Sequence, residues 1–126
     1  MTINVKALVK GLATAAILAT ASPLAAQDNG MAGKKVVFIP ITMGISLTEG
    51  WARRMREHAD VNGYSFDVRD AAFNTSIMSE LLAKAIADQP DLLVVHNPTV
   101  QLLARQIKQA ESKGIPVLQI NLQSNQ

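Results

Sequence analysis

Two uninterrupted apolar stretches of the chain predict buried β-strands. The first covers residues 36–41 and follows two lysines, and the second covers residues 92–95 and ends at His96. A strand with one face in water would alternate apolar and polar residues, whereas these stretches have no polar face. They are typical of strands that are covered on both sides, at the centre of a parallel sheet.

Two more strands are predicted from the remaining patterns. Residues 64–69 alternate between apolar and polar, which favours a strand nearer the edge of the sheet. Residues 115–120 are again mainly apolar, and we predict a fourth, centrally placed strand there.

The first predicted helix follows the first strand. Its apolar residues recur every four positions, at Leu47, Trp51, Met55 and Ala59, and we expect this stripe to be buried. Ser46 and Glu49 fit a capping box at its beginning. Gly63 supplies a left-handed position at its end.

Two more helices are predicted between the later strands. Asn74 or Thr75 caps the second helix, which stops at Pro90. The third helix is expected to begin with Asn97 as its cap and Pro98 in its first position, where a missing N–H costs nothing. The residues expected to face the sheet are Ile77, Leu81, Leu82, Ala85 and Ile86 in the second helix, and Val100, Leu103, Ala104, Ile107 and Ala110 in the third.

The order of these elements predicts an α/β fold. Strand and helix alternate three times before a final strand, with short connections, so right-handed crossovers give an open, Rossmann-like parallel sheet with helices on both faces. No helix follows the fourth strand to cover it. We therefore expect residues 34–126 to form an incomplete lobe, the front part of a longer protein.

The amino-terminal residues resemble an export signal rather than part of the fold. Residues 1–26 contain two lysines, a short apolar stretch and a small-residue ending at Ala26, which is the layout of a secretory signal peptide. A retained membrane anchor is the alternative. Residues 27–33 are polar and contain glycine, so we predict a flexible lead-in.

Charge and cysteine content narrow the function further. The net charge of +2 comes from 12 basic against 10 acidic residues, and cleavage after Ala26 would remove Lys6 and Lys10 and leave the mature chain neutral. The sequence therefore gives no electrostatic indication of a nucleic-acid partner. The chain has no cysteine, so its stability must come from a packed core rather than from disulfides.

The expected ligand site lies where the strands end. Four loops, at residues 42–49, 70–74, 96–97 and 121–125, leave the same edge of the predicted sheet and carry hydroxyls, carboxylates, amides and one aromatic ring. Such groups bind polyhydroxylated ligands, since amides and carboxylates pair with vicinal hydroxyls and rings stack on sugar faces. Ser46, Asn74 and Asn97 could each be simple helix caps. For Phe73, ligand stacking and a structural role are equally supported.

Enzymatic chemistry is less well supported. Asp70 and His96 could form an acid/base pair, but no serine elbow, metal-ligand spacing or nucleophile accompanies them. The glycine patterns that bind nucleotide phosphates are absent. The arginines at positions 53, 54 and 56 fit a solvated helix face, with a partner-docking surface as the alternative.

Several motifs together resemble a known family. The signal peptide, residues 34–40, Asn62-Gly63-Tyr64, Asp70 and residues 90–95 and 114–117 resemble the N-terminal lobe of type I periplasmic sugar-binding proteins. These are the substrate-binding components of ABC importers, in the ribose-binding and lac-repressor-like superfamily. A repressor of that superfamily would need a helix-turn-helix where this chain has an export signal.

The resemblance implies a function and a site. Members of the family close two lobes over a sugar and then dock on a membrane permease. Their first loop supplies an asparagine and an aromatic pair, but here Gly44 and Leu47-Thr48 stand near those places. The family's aspartate after the fourth strand corresponds to Asn121, and the arginine that often follows it corresponds to Leu122.

These considerations predict a periplasmic solute-binding protein that captures a sugar or sugar alcohol for an ABC importer, without catalysis, cofactor or metal. A sugar receptor that presents its ligand to a chemotaxis or sensor-kinase partner is the alternative, and an enzyme is a more distant one. An uncovered strand edge could also allow the fragment to self-associate. The predicted ligand contacts are Thr48, Glu49, Phe73, Asn97, Asn121 and Gln123.

Overall fold

The computed structural model describes residues 30–124, which form a single four-stranded sheet with three helices. The strands are β1 Lys35–Ile39, β2 Ser65–Val68, β3 Leu92–Asn97 and β4 Val117–Asn121, and the helices are α1 Ser46–Asn62, α2 Thr75–Ala87 and α3 Ala104–Ser112. The predicted signal peptide and residues 27–29 of the lead-in lie outside the described residues. Within residues 30–124, none of the helices has the length and hydropathy that a membrane crossing would require.

The sheet is parallel throughout, in the order β2-β1-β3-β4. The predicted α/β fold with an open parallel sheet is therefore confirmed. β1 and β3 lie at its centre and β2 at one edge, also as predicted. The prediction that β4 is central is wrong for the described residues, because only β3 pairs with it and Leu118 is 53% exposed.

Helices cover both faces of the sheet, as the crossover argument requires. On one face, α2 and α3 pack with side chains of β1 and β3 in the larger apolar cluster, which includes Val37, Leu93, Met78, Leu82 and Ile107. On the other face, α1 packs with Val36, Phe38 and Val94 in a smaller cluster. β1 and β3 are thus buried on both sides, which explains their uninterrupted apolar sequence.

The details of α1 differ from the prediction. The capping box does not form, because the helix begins one residue earlier: Ser46 is already helical, and Ile45 precedes it without a side-chain cap. The buried stripe differs from the prediction at its beginning, where Leu47 is 54% exposed and Thr48 is fully buried instead. Farther along the helix, Trp51 and Met55 are partly buried and Ala59 is buried, as predicted. Gly63 ends the helix in the left-handed conformation that was predicted (φ 72°), and its N–H donates to the carbonyl of Ala59.

The beginning of α2 was predicted correctly. Asn74 caps the helix, and its Oδ1 accepts hydrogen bonds from the N–H groups of Ser76 and Ile77 at 2.9 and 3.1 Å. Within the predicted stripe, Leu82, Ala85 and Ile86 are buried, Leu81 is partly buried and Ile77 is 40% exposed. Met78 takes the place of Ile77 in the core.

The predicted beginning of α3 is wrong. Asn97 does not cap a helix: it is the last residue of β3, lies in register with Asn121 and is fully buried. A turn follows, in which the N–H of Leu102 donates to the Thr99 hydroxyl, and the helix begins only at Ala104. Pairing with β4 therefore overrides the local preference of Asn-Pro for a helix start.

Candidate functional site

The carboxyl ends of the four strands lie together at one end of the sheet, because all four strands run in the same direction. Adjacent strands bring parts of the predicted site together here. Asn97 lies opposite Asn121, and His96 lies opposite Ile120. We call the carboxyl ends of the strands, together with the loops that follow them, the rim.

A cluster of polar side chains joins the ends of β3 and β4. The amide nitrogen of Asn97 donates to Gln119 Oε1 at 3.3 Å, and that oxygen also accepts the N–H of Ser124 at 2.7 Å. The amide nitrogen of Asn121 donates to the carbonyl of Asn97 at 3.3 Å. We call these four residues the amide cluster. It folds the segment after β4 back over the end of β3.

Two oxygens of the amide cluster have no hydrogen-bond partner among the described residues. They are Asn97 Oδ1 and the Ser124 hydroxyl, and their residues are 0% and 6% exposed. Leaving a buried polar atom unpaired costs about 1–3 kcal/mol. Because native proteins rarely leave such atoms unpaired, these two indicate that a further hydrogen-bonding group belongs at this position.

The loops after β1 and β2 are tied to each other by Asp70. Its Oδ1 accepts the N–H of Met43 at 3.0 Å and the N–H of Ala72 at 2.8 Å. The N–H of Phe73 also donates to the carbonyl of Ile41 at 2.7 Å. These bonds fix the position of both loops at the rim before any ligand arrives.

The loop after β2 presents an aromatic ring to solvent. Phe73 is 65% exposed, and both it and Ala72 have positive φ angles, of 59° and 49°. A left-handed residue other than glycine costs about 1 kcal/mol or more, so surrounding bonds such as those of Asp70 are needed to hold it. An exposed aromatic side chain on a strained loop is a feature of ligand-binding sites rather than of a packed core.

His96 lies on the opposite face of the sheet from the amide cluster. It is 8% exposed, its ring is edge-on to Trp51 with the ring centres 5.2 Å apart, and its Nδ1 has no partner in residues 30–124. Burial lowers the pKa of His96, because the protonated ring loses solvation there. Burial therefore favours the neutral form of the histidine.

Comparison with known proteins gives a consistent result. No protein-family model and no curated protein matches the sequence. A solved structure described as a periplasmic ribose ABC transporter from Conexibacter woesei matches with a TM-score of 0.71 and 26% identity, over 76% of this chain and 32% of its own. The chain resembles periplasmic sugar-binding proteins of ABC transporters. This confirms the resemblance inferred from the sequence.

Two further structures support the same fold. A solute-binding protein of an ABC transporter from Agrobacterium vitis, bound with α-D-tagatopyranose, matches with a TM-score of 0.66 and 20% identity, over 71% of this chain and 30% of its own. A periplasmic solute-binding protein from Actinobacillus succinogenes, with bound D-allose, matches with a TM-score of 0.64 and 16% identity, over 74% and 33% of the two chains. The chain spans about a third of the length of these proteins.

The predicted ligand contacts fall into three groups. Asn97 and Asn121 are in direct contact within the amide cluster. Phe73, Glu49 and Gln123 are exposed on segments that follow β2, β1 and β4. Thr48 is the exception: its side chain is fully buried, and its hydroxyl donates to the carbonyl of Ile45 at 3.2 Å. Asn97 is equally buried, and the roles of both residues as ligand contacts stay predictions.

The sequence analysis missed two members of the amide cluster, Gln119 and Ser124. Gln119 could have been recognised, since it is the lone polar residue within an apolar stretch and lies two positions before Asn121, on the same side of the strand. Ser124 carries no such signal. Its position depends on Gln119, which accepts its N–H and so draws the chain back toward the sheet.

Proposed function

We propose that this chain is the first lobe of an exported, periplasmic solute-binding protein that captures a sugar or sugar alcohol for an ABC importer. The observation that carries the proposal is the pair of unpaired buried oxygens in the amide cluster, at the edge of the sheet where parallel α/β folds bind ligands. Three structures with the same fold are described with bound tagatopyranose, allitol and allose. Ligands of this kind carry many hydroxyl groups.

The chemistry of the rim suits such a ligand. A sugar hydroxyl can donate to Asn97 Oδ1 and accept from the Ser124 hydroxyl, which would satisfy both atoms. Asn121 can accept and donate at once, while it adds no charge. Phe73 would stack on the apolar face of the ring or chain. Glu49 and Gln123 complete the proposed contacts from the first turn of α1 and the end of the chain.

Binding alone would be the function of this site. The resemblance implies a second lobe that closes over the ligand, so contacts with both lobes would shift the protein toward its closed form, which the permease recognises. Asp70, one member of the acid/base pair in the enzyme alternative, already accepts two backbone hydrogen bonds through one oxygen. We propose no catalytic step.

Calorimetric titration of the complete protein with ribose, tagatose, allose and allitol tests this proposal. We expect one binding site and no turnover of the ligand. The Asn121→Gly variant keeps the left-handed backbone of that position (φ 81°) but removes the amide, so affinity should fall about tenfold for about 1.4 kcal/mol of lost hydrogen bonding. The control substitution is Gln109→Ala, because Gln109 is exposed on α3; this variant should bind sugar as tightly as the parent protein does.

Two results would contradict the proposal. Absence of binding across a wide sugar and polyol panel would remove its basis, and release of a product would favour the enzyme alternative. An experiment in living cells distinguishes the importer role from the receptor role. Deletion of an associated permease gene should abolish sugar uptake for an importer but leave a purely sensory response unchanged.

A further inference from the structure

The hydrogen bonds of the amide cluster have a direction that the main chain fixes. The backbone N–H of Ser124 donates to the side chain of Gln119 at 2.7 Å. A backbone N–H can only donate, so Gln119 must turn its amide oxygen, and not its amide nitrogen, toward Ser124. The orientation of the Gln119 amide is therefore set by the main chain rather than by neighbouring side chains.

The orientation of Gln119 in turn sets that of Asn97. The two side chains lie on the same face of adjacent strands, because Gln119 is in register with Val95 and Asn97 is two positions farther along β3. The oxygen of Gln119 accepts a second hydrogen bond, at 3.3 Å, from the Asn97 side chain. Only the nitrogen of the Asn97 amide can donate to it, so Asn97 Nδ2 is committed to Gln119 and Oδ1 is left over.

The remaining oxygen of Asn97 is an acceptor without a donor. It has no hydrogen-bond partner within residues 30–124, and Asn97 is 0% exposed. A half-turn of the Asn97 amide would place its oxygen against the oxygen of Gln119, with no proton between the two acceptors, and would lose the existing hydrogen bond. Gln119 therefore prevents Asn97 from offering its nitrogen instead of its oxygen.

The two strands that carry the amide cluster provide no full charge beside this acceptor. Residues 92–104 and 114–126 contain no Asp, Glu, Lys or Arg, and His96 lies on the opposite face of the sheet. A carboxylate or phosphate group at Asn97 Oδ1 would meet an acceptor without a cation from either segment, whereas a hydroxyl group can donate its proton. The arrangement favours an uncharged donor.

We propose that Gln119 is a positioning residue that determines specificity at the rim without contacting the ligand itself. By accepting the N–H of Ser124, it holds Asn97 in the orientation that offers Oδ1, so the site selects a ligand hydroxyl that donates a hydrogen bond. This inference rests on the proposed function. It adds to that function a required direction of one hydrogen bond and the residue that imposes it.

Fluorinated sugars test this direction in the complete protein. The sugars that bind are first identified by titration with ribose, tagatose, allose and allitol. Each of these is then compared with its derivatives in which a single hydroxyl is replaced by fluorine, which cannot donate a hydrogen bond. Replacement of the hydroxyl that donates to Asn97 should weaken binding by the parent protein at least tenfold.

Substitutions of Gln119 show whether this residue imposes the penalty. Gln119→Leu removes the acceptor and frees the Asn97 amide to turn, so at one hydroxyl position the tenfold penalty of fluorination should fall below about threefold. Gln119→Glu keeps an oxygen for both donors and should retain the penalty of the parent. The control Gln109→Leu makes the same change at an exposed position of α3 and should also retain it. A merely structural defect would weaken the sugar and its derivatives equally and leave their ratio unchanged.

Nuclear magnetic resonance of the protein without sugar gives a second readout. The Asn97 amide group and the Ser124 N–H donate to the same oxygen, so a nuclear Overhauser effect should connect their protons. We expect this signal in the parent and in Gln119→Glu, and its loss in Gln119→Leu. The remaining amide signals report whether the Gln119→Leu variant is folded.

Two results would overturn the inference alone. One is a fluorination penalty in the folded Gln119→Leu variant that equals that of the parent at every hydroxyl position. The other is the absence of the signal between Asn97 and Ser124 in the parent. Failure of the parent to bind any of the four sugars would instead refute the proposed ligand class, and the inference would fall with it.

Discussion

Asp70 provides the sharpest test of how the rim is held together. Its Oδ1 accepts one hydrogen bond from the loop after β1, at Met43, and one from its own loop, at Ala72. Asp70→Ala removes both acceptor contacts. Asp70→Asn keeps an oxygen of the same geometry but removes the charge.

The expected loss of stability follows from these two bonds. Hydrogen bonds to a charged group contribute about 1.5–3 kcal/mol each, and an exposed position such as that of Asp70 lowers the contribution to about 1 kcal/mol each. Asp70→Ala should therefore lower the free energy of unfolding by about 2 kcal/mol, which corresponds to roughly 8–16 °C in Tm for a domain of this size. Asp70→Asn should cost about half as much, since the neutral amide oxygen still accepts both N–H groups.

Urea unfolding followed by circular dichroism measures the difference. The control Asp60→Ala removes an exposed carboxylate from α1 and should change the free energy of unfolding by less than about 0.5 kcal/mol. Equal losses for Asp70→Ala and Asp60→Ala would refute the argument that this carboxylate joins the two loops. If Asp70→Asn instead retained stability but abolished a catalytic turnover, Asp70 would be acting as an acid or base rather than as a structural acceptor.

Three other properties can be tested in the same way. The folded-state pKa of His96 is lowered, so as pH falls the unfolded chain binds a proton at His96 before the folded chain does, and the free energy of unfolding should decrease below about pH 6.5. His96→Gln should flatten this dependence of stability on pH. The fluorescence of Trp51, which lies beside His96, should report the titration. The pKa of Asp91 is lowered chiefly by the hydrogen bond from the Lys35 N–H (2.8 Å), so the contribution of Asp91 to the free energy of unfolding is present at neutral pH and is lost as pH falls below about 4. The Asp91→Asn variant should lack this loss of stability when it is titrated with acid. Gly63→Ala should lower the free energy of unfolding by about 1 kcal/mol, because alanine must adopt φ 72° at the end of α1; an unchanged urea midpoint would contradict this.

The sequence predicted most reliably what depends on local periodicity and full burial. The uninterrupted stretches at β1 and β3 identified the central strands, and the alternation at β2 identified an edge. The cap at Asn74 and the left-handed end at Gly63 were predictable because each satisfies backbone groups within a few residues. Because the strands were predicted to be parallel, these correct predictions were enough to place the loops of the rim together at the carboxyl ends of the strands.

The failures share a different cause, since each depends on a residue distant in sequence. Asn97 has the local features of a helix cap, but its amide is bound by Gln119 across the sheet. Leu47 belongs to the predicted apolar stripe of α1, but the packing of the helix buries Thr48 in its place. Periodicity indicates which positions are buried, whereas it does not identify the partner of a buried polar group.

β4 shows both what periodicity predicts and what it leaves undetermined. Its apolar sequence predicted a covered strand, yet in the described residues Leu118 on one face is half exposed, while the amide cluster at its carboxyl end leaves oxygens of Asn97 and Ser124 unpaired. The sequence of β4 therefore combines an apolar face with polar groups at its carboxyl end, and the proposed sugar would contact only the polar groups. Substitution of Asn121 should weaken sugar binding, whereas substitution of Leu118 should leave it unchanged.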